Sequence, residues 1–153
     1  MANPVHRYRE AAISTANPLQ LVVTLYDAAV VSLREARGHL ERGDIGNRSR
    51  SVNKCISVLS ELQSSLDRDR GGEIARSLDR LYDYMRRRIF EAHAAQDPKP
   101  LLEVETLLAT LRSAWEELAQ QARDASAGRP DPGIPRASAR EEVMRGKSLN
   151  LSI

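Results

Sequence analysis

The sequence predicts an all-α protein, an antiparallel up-down four-helix bundle flanked by a flexible N-terminal arm and a C-terminal tail. Three observations carry that expectation. Apolar residues recur at helical spacing in four successive segments. Gly, Asp and Pro punctuate the gaps between them, and no stretch of the first 125 or so residues alternates like a strand. The composition agrees: of 153 residues, 41% are hydrophobic and only 4% aromatic, an aliphatic mix suited to one helical core.

Asn17-Pro18 supplies a capping side chain followed by proline at the first helical position. Val22, Leu25, Tyr26, Ala29, Leu33, Ala36 and Leu40 then form one apolar stripe. Gly43-Asp44 reads as a helix stop followed at once by a new cap. The second stripe is Val52, Cys55, Ile56, Leu59, Leu62 and Leu66, and Gly71-Gly72 is expected to break it. The third holds Ile74, Leu78, Leu81, Tyr82, Met85, Ile89 and Ala92. Its far side carries Asp83, Arg87 and Glu91, spaced to pair along the helix. Asp97-Pro98 repeats the cap-plus-proline start, and Val104, Leu108, Leu111, Trp115, Leu118 and Ala122 complete the fourth. The expected organisation is therefore an arm over residues 1–16, a bundle over 17–123 and a Pro/Gly-rich linker and tail over 124–153. Ser138-x-x-Glu141 in the tail resembles a capping box before a short helix with Val143 and Met144.

The first helix has more apolar surface than one stripe requires. Between Leu19 and Val31 only Gln20, Thr24 and Asp27 are polar, which leaves Leu21, Val23, Ala28, Val30 and Val31 off the central stripe. Val58, Tyr84 and Phe90 also project off the main faces of their helices. Two readings stay open: unusually deep burial of the first helix, or an apolar groove that receives a foreign helix.

Other function classes find little footing. The net charge of +2 comes without a basic block, and Arg86, Arg87 and Arg88 point about 100° apart on a helix, so no nucleic-acid partner is expected. Cys55 is the single cysteine, which excludes an intrachain disulfide and a cysteine metal site. No Glu-x-x-His pair, phosphate-binding P-loop or G-x-S-x-G elbow occurs, so no catalytic residue, metal or cofactor is expected. Apolar runs are too short for stable membrane insertion and the N-terminus lacks a secretory apolar region, which makes the cytoplasm the expected compartment. The alternative function is a histidine phosphotransfer bundle using His39, from the run His39-Leu40-Glu41-Arg42-Gly43. His39 reads better as a last-turn residue favoured by the helix dipole.

Several runs carry a family resemblance. Thr15-Ala16-Asn17-Pro18 with Leu25-Tyr26-Asp27-Ala28-Ala29 looks like the first-helix signature of the flagellin export chaperones, the FliS family. Gly71-Gly72-Glu73-Ile74-Ala75, Leu78 and Leu81-Tyr82-Asp83-Tyr84-Met85 resemble its central motif, and Glu103-Val104 through Ala114-Trp115 its fourth helix. Ala28 stands where the family usually has glycine. The resemblance, which spans about Tyr8 to Leu118, implies a cytosolic, non-enzymatic bundle that binds the C-terminal segment of flagellin in apolar grooves. It further implies that premature polymerisation is prevented and that a flagellar type III export gate protein receives the complex. Tyr8, Leu21, Leu25, Tyr26, Ile56, Leu59, Tyr82 and Met85 are the groove candidates it suggests. Monomer and homodimer both remain open. So do two fates for the tail: detached, or folded back with Val143, Met144, Leu149 and Leu151 in the client groove.

Overall fold

A computed structural model describes residues 18–127 of the chain. Within them lie four helices: α1 (Pro18–Glu41), α2 (Ile45–Ser64), α3 (Arg68–Ala95) and α4 (Pro98–Ala127). The connections are two or three residues long, so successive helices reverse direction. Each helix packs on its two neighbours in a closed ring, α1 on α2 and α4, α3 on α2 and α4. The ring is the expected antiparallel bundle. The expected N-terminal arm, the tail after 127 and the Ser138–Glu141 cap lie outside the described residues.

Local chemistry fixes the corners. At the end of α1, Gly43 adopts φ +68°, a left-handed conformation that glycine takes without strain. Its N–H donates to the Leu40 carbonyl and the Asp44 N–H to that of His39, which closes a Schellman turn. Asp44 then caps α2 by accepting from the Asn47 N–H at 3.2 Å. The Asn47 side-chain amide, donating to the same carboxylate at 2.7 Å, and then this backbone bond hold the Asp44 carboxyl below the ordinary carboxylate range. Asp97 likewise accepts from the Lys99 N–H at 3.0 Å ahead of α4.

The second corner differs from expectation. α2 stops at Ser64, and Asp67 caps a new helix by accepting from the Arg70 N–H at 3.0 Å. The glycines therefore do not divide α2 from α3; Gly72 (φ 52°, ψ −127°) bends the first turns of α3 instead. Only glycine enters that region readily, so the residue is needed for backbone freedom. α4 continues to Ala127, past the boundary expected at 123, because Asp124-Ala125-Ser126-Ala127 contains no breaker before Gly128 and Pro130.

α1 is the most enclosed helix. Val23, Ala28 and Val30, off the central stripe in the sequence, are buried along with Leu25, Tyr26, Ala29 and Leu33. Deep burial thus accounts for most of its surplus apolar surface, while Leu21 stays half-buried and Val31 is exposed; Val58 on α2 is sealed like the first three. Ion pairs tie α1 to α4 in antiparallel register: Arg34 and Arg37 each donate to the buried Glu105 carboxylate at 2.8 Å, and Arg112 pairs with Asp27. Cys55 is buried and its thiol is pushed up to about 12 by desolvation, which leaves it a small, unreactive core residue.

Two phenols meet across the bundle diagonal. Tyr26 of α1 and Tyr82 of α3 are fully buried, with their oxygens 2.6 Å apart. Burial raises both phenol pKa values above the usual tyrosine range. Each phenol ionises more readily unfolded than folded. Stability is therefore complete below about pH 10 and falls as pH rises past that unfolded-state value. Urea melts should show this alkaline loss, and Tyr82→Phe should shrink it while costing about 1–2 kcal/mol at neutral pH. An unchanged midpoint at pH 7 would contradict the buried pair.

Candidate functional site: an apolar trough beside α3

Exposed large apolar side chains occur on all four helices (Val31, Ile45, Ile74, Phe90 and Leu102), and α3 alone carries two of them, Ile74 and Phe90. α3 packs on α2 and α4 much less extensively than α1 does. Ile74, expected in the core, is 65% exposed, and Leu81 is only partly covered. With Leu78, Glu73 and Ser77 they line an open depression of about 270 Å³ on α3. The bend at Gly72 carries the first turn of α3 off the helix axis directly before Ile74, so no residue of that turn covers it.

The lining residues all belong to α3, and α4 is the neighbouring helix on this side. Arg88 of α3 donates to the Glu103 carboxylate at 2.9 Å, Tyr84 hydrogen-bonds the same group, and these contacts fix which face of α4 looks toward α3. Glu103 is held below the ordinary carboxylate range first by Tyr84 and then by Arg88, so it stays ionised as the clasp. Leu107, Leu111 and Leu118 follow from Glu103 along the same helical face and are partly exposed. Antiparallel register places them alongside the stretch from Leu81 back to Ile74. The trough is thus pinned by a polar clasp at one end and open at the other. That end holds the start of α3 and the end of α4.

A smaller apolar patch lies on the opposite flank of α3. Arg86 reaches Ser60 and Gln63 of α2, and this register sets Phe90, which is 51% exposed, beside the half-buried Ile56. Polar contacts seal the rest of that seam: Gln63 donates to Asp79 at 2.7 Å and to Asp83 at 3.1 Å. The expected pairing of Arg87 with Asp83 and Glu91 does not form. Asp83 binds Arg86 and Glu91 binds Arg88, because both arginines lie on flanks already drawn toward neighbouring helices.

The groove candidates divide sharply. Leu25, Tyr26, Leu59, Tyr82 and Met85 are interior residues that a ligand cannot touch while the bundle stays closed. Leu21 and Ile56 are half-buried at the margin of the core. Tyr8 lies outside the described residues. Periodicity alone could not separate core from trough, since both sit on one stripe. Leu107 and Leu118 fall toward the edge of the α4 stripe, which is the signal that places them beside the trough. His39 sits in the last turn of α1, where Nδ1 accepts from Arg42 at 3.1 Å and lies 3.9 Å from Asp44. It is neither mid-helix nor free, which removes the geometry that phosphotransfer requires. Among the described residues no helix is long and apolar enough to cross a membrane.

If the trough is surface and not core, substitutions will separate cleanly. Ile74→Ser should change unfolding free energy by less than about 0.5 kcal/mol, whereas Met85→Ala should cost about 2–5 kcal/mol. Chemical denaturation of both variants checks this, and comparable losses would place Ile74 in the core after all.

Known proteins match the whole bundle. The family model described as flagellar protein FliS matches residues 1–122. The flagellar secretion chaperone FliS of Salmonella typhimurium is 39% identical over 114 residues, covering 74% of this chain and 84% of that one. FliSB of Pseudomonas aeruginosa, also a flagellar secretion chaperone, is 40% identical over 107 residues, with 70% and 85% covered. The FliS of Bacillus subtilis is 31% identical over 121 residues, with 79% and 90% covered.

Proposed function

From the premise that this chain belongs to the FliS family of flagellar proteins, we propose that it is a cytoplasmic secretion chaperone for flagellin. It binds the C-terminal segment of that protein, without catalysis or cofactor. The bound segment is withheld from polymerisation until the complex reaches the flagellar type III export gate. The observation that supports this most is the open depression on α3 lined by Ile74, Leu78 and Leu81, with the partly buried Leu107, Leu111 and Leu118 on the neighbouring α4. A client helix laid there would place aliphatic side chains at i, i+3/i+4 and i+7 against Ile74, Leu81, Leu107, Leu111 and Leu118. Burial stabilises such a contact by about 25 cal/mol per Å² of apolar surface, offset in part by ordering a flexible segment.

The Phe90–Ile56 patch gives the same segment a second foothold if it crosses the outer face of α3. Leu21 lies at the margin of the core, and Tyr8 belongs to the arm that precedes α1; both are kept as client contacts. The buried candidates Leu25, Tyr26, Leu59, Tyr82 and Met85 act from beneath, by shaping the walls. Either a single chain or a homodimer can present this surface.

Titration with a peptide from the C-terminal region of the cognate flagellin tests the reading by calorimetry and circular dichroism. The expected result is one-to-one binding with a gain in helicity. Leu81→Asp and Leu111→Asp should each weaken it at least about tenfold, a loss of about 1.4 kcal/mol, without loss of helical signal from the chaperone. Absence of binding at high micromolar peptide, or full affinity in both variants, would overturn the assignment.

A further inference from the structure

We propose that the C-terminal segment of this chain docks into its own α3–α4 trough and must leave before a client can enter. The inference rests on the trough being the client site. α4 ends at Ala127, at the open end of the trough, so the segment 128–153 leaves from the helix that flanks it. The family match ends at residue 122, and among the described residues the buried core runs from Leu19 to Ala119, so the family's pattern stops before the segment begins.

Its sequence suits the site. Ser138-x-x-Glu141 is followed by Val143, Met144, Leu149 and Leu151, a short apolar set interleaved with Arg145, Lys147 and other polar residues. Ahead of it, Gly128 and three prolines between 130 and 135 favour an extended connection. Reach is ample. Returning from Ala127 to Leu111 along α4 covers about 24 Å at about 1.5 Å per residue, while residues 128–142 extend up to about 50 Å. A tethered apolar segment meets the trough at high effective concentration, so even a weak contact competes with client. Occupation also shields Ile74 and Leu81 from solvent while no flagellin is available.

The full chain offers a direct test, because its only native thiol, Cys55, is buried. A nitroxide is attached through Ser148→Cys, and methyl resonances of Leu81, Leu107, Leu111 and Leu118 are followed. Docking should broaden them at every protein concentration, and serine at Val143, Met144, Leu149 and Leu151 together should abolish the effect. No broadening, or broadening that survives the four serines, overturns the proposal. Broadening that grows with concentration also overturns it and assigns the trough to a second copy. Adding the flagellin C-terminal peptide should release the tail, and removing residues 128–153 should raise peptide affinity about three- to tenfold. Peptide that binds while broadening persists overturns the competition. Broadening with no peptide binding at all leaves the tail contact standing and sinks the client reading, so the two failures are distinguishable.

Discussion

The pairing of Tyr26 with Tyr82 is the contact on which the rest of the bundle depends. It joins the two helices that are not neighbours in the ring, and it lies fully inside, where an unpartnered hydroxyl would be costly. A phenol oxygen can be satisfied at that depth only at one distance and rotation between α1 and α3. Aliphatic packing tolerates small slides of one helix along another; this hydrogen-bonded centre does not.

Fixing the diagonal decides where surface is left over. α1 is drawn between α2 and α4 until most of its circumference is used, leaving an exposed strip of Asp27, Val31, Arg34 and Glu35, with Glu105 shared by Arg34 and Arg37 along one border. α3 is held from its far side by one tyrosine and along its flanks mainly by polar clasps: Gln63 with Asp79 and Asp83, Glu103 with Tyr84 and Arg88. Polar clasps set spacing without covering apolar neighbours. Ile74 and Leu81 are consequently left uncovered beside well-anchored backbone, a better platform for a ligand than a mobile loop would be.

The fold was almost entirely legible in the sequence, and for physical reasons that can be named. Gly43-Asp44 and Asp97-Pro98 each need a specific backbone or capping chemistry, and both sit where that chemistry is used. Gly71-Gly72 misled because a glycine pair signals backbone freedom without saying whether that freedom ends a helix or bends one; the true boundary was written in Asp67, an unremarkable capping residue until its bond to Arg70 is seen. The site was much less legible. Ile74 and Met85 share one periodic stripe, yet the first faces solvent and the second the core, because exposure depends on how far a neighbouring helix extends over each turn. Likewise the surplus on α1 was read correctly as surplus, but its destination was mostly the interior.

The remaining step concerns why an escort would keep its trough on α3. A site built on α1 would require opening the core, with the loss of Tyr26 and the Glu105 pairs, before any client could be held. On α3 the apolar strip borders the interior without being part of it, so a helix can arrive and depart while the diagonal contact stays intact. On the proposed function, binding would alter coverage and not packing, so a client could leave without the core opening. The same geometry makes the strip adhesive toward any passing apolar segment, a hazard that grows when client is scarce. On the proposed docking, the apolar residues that follow α4 in the sequence would answer that hazard locally.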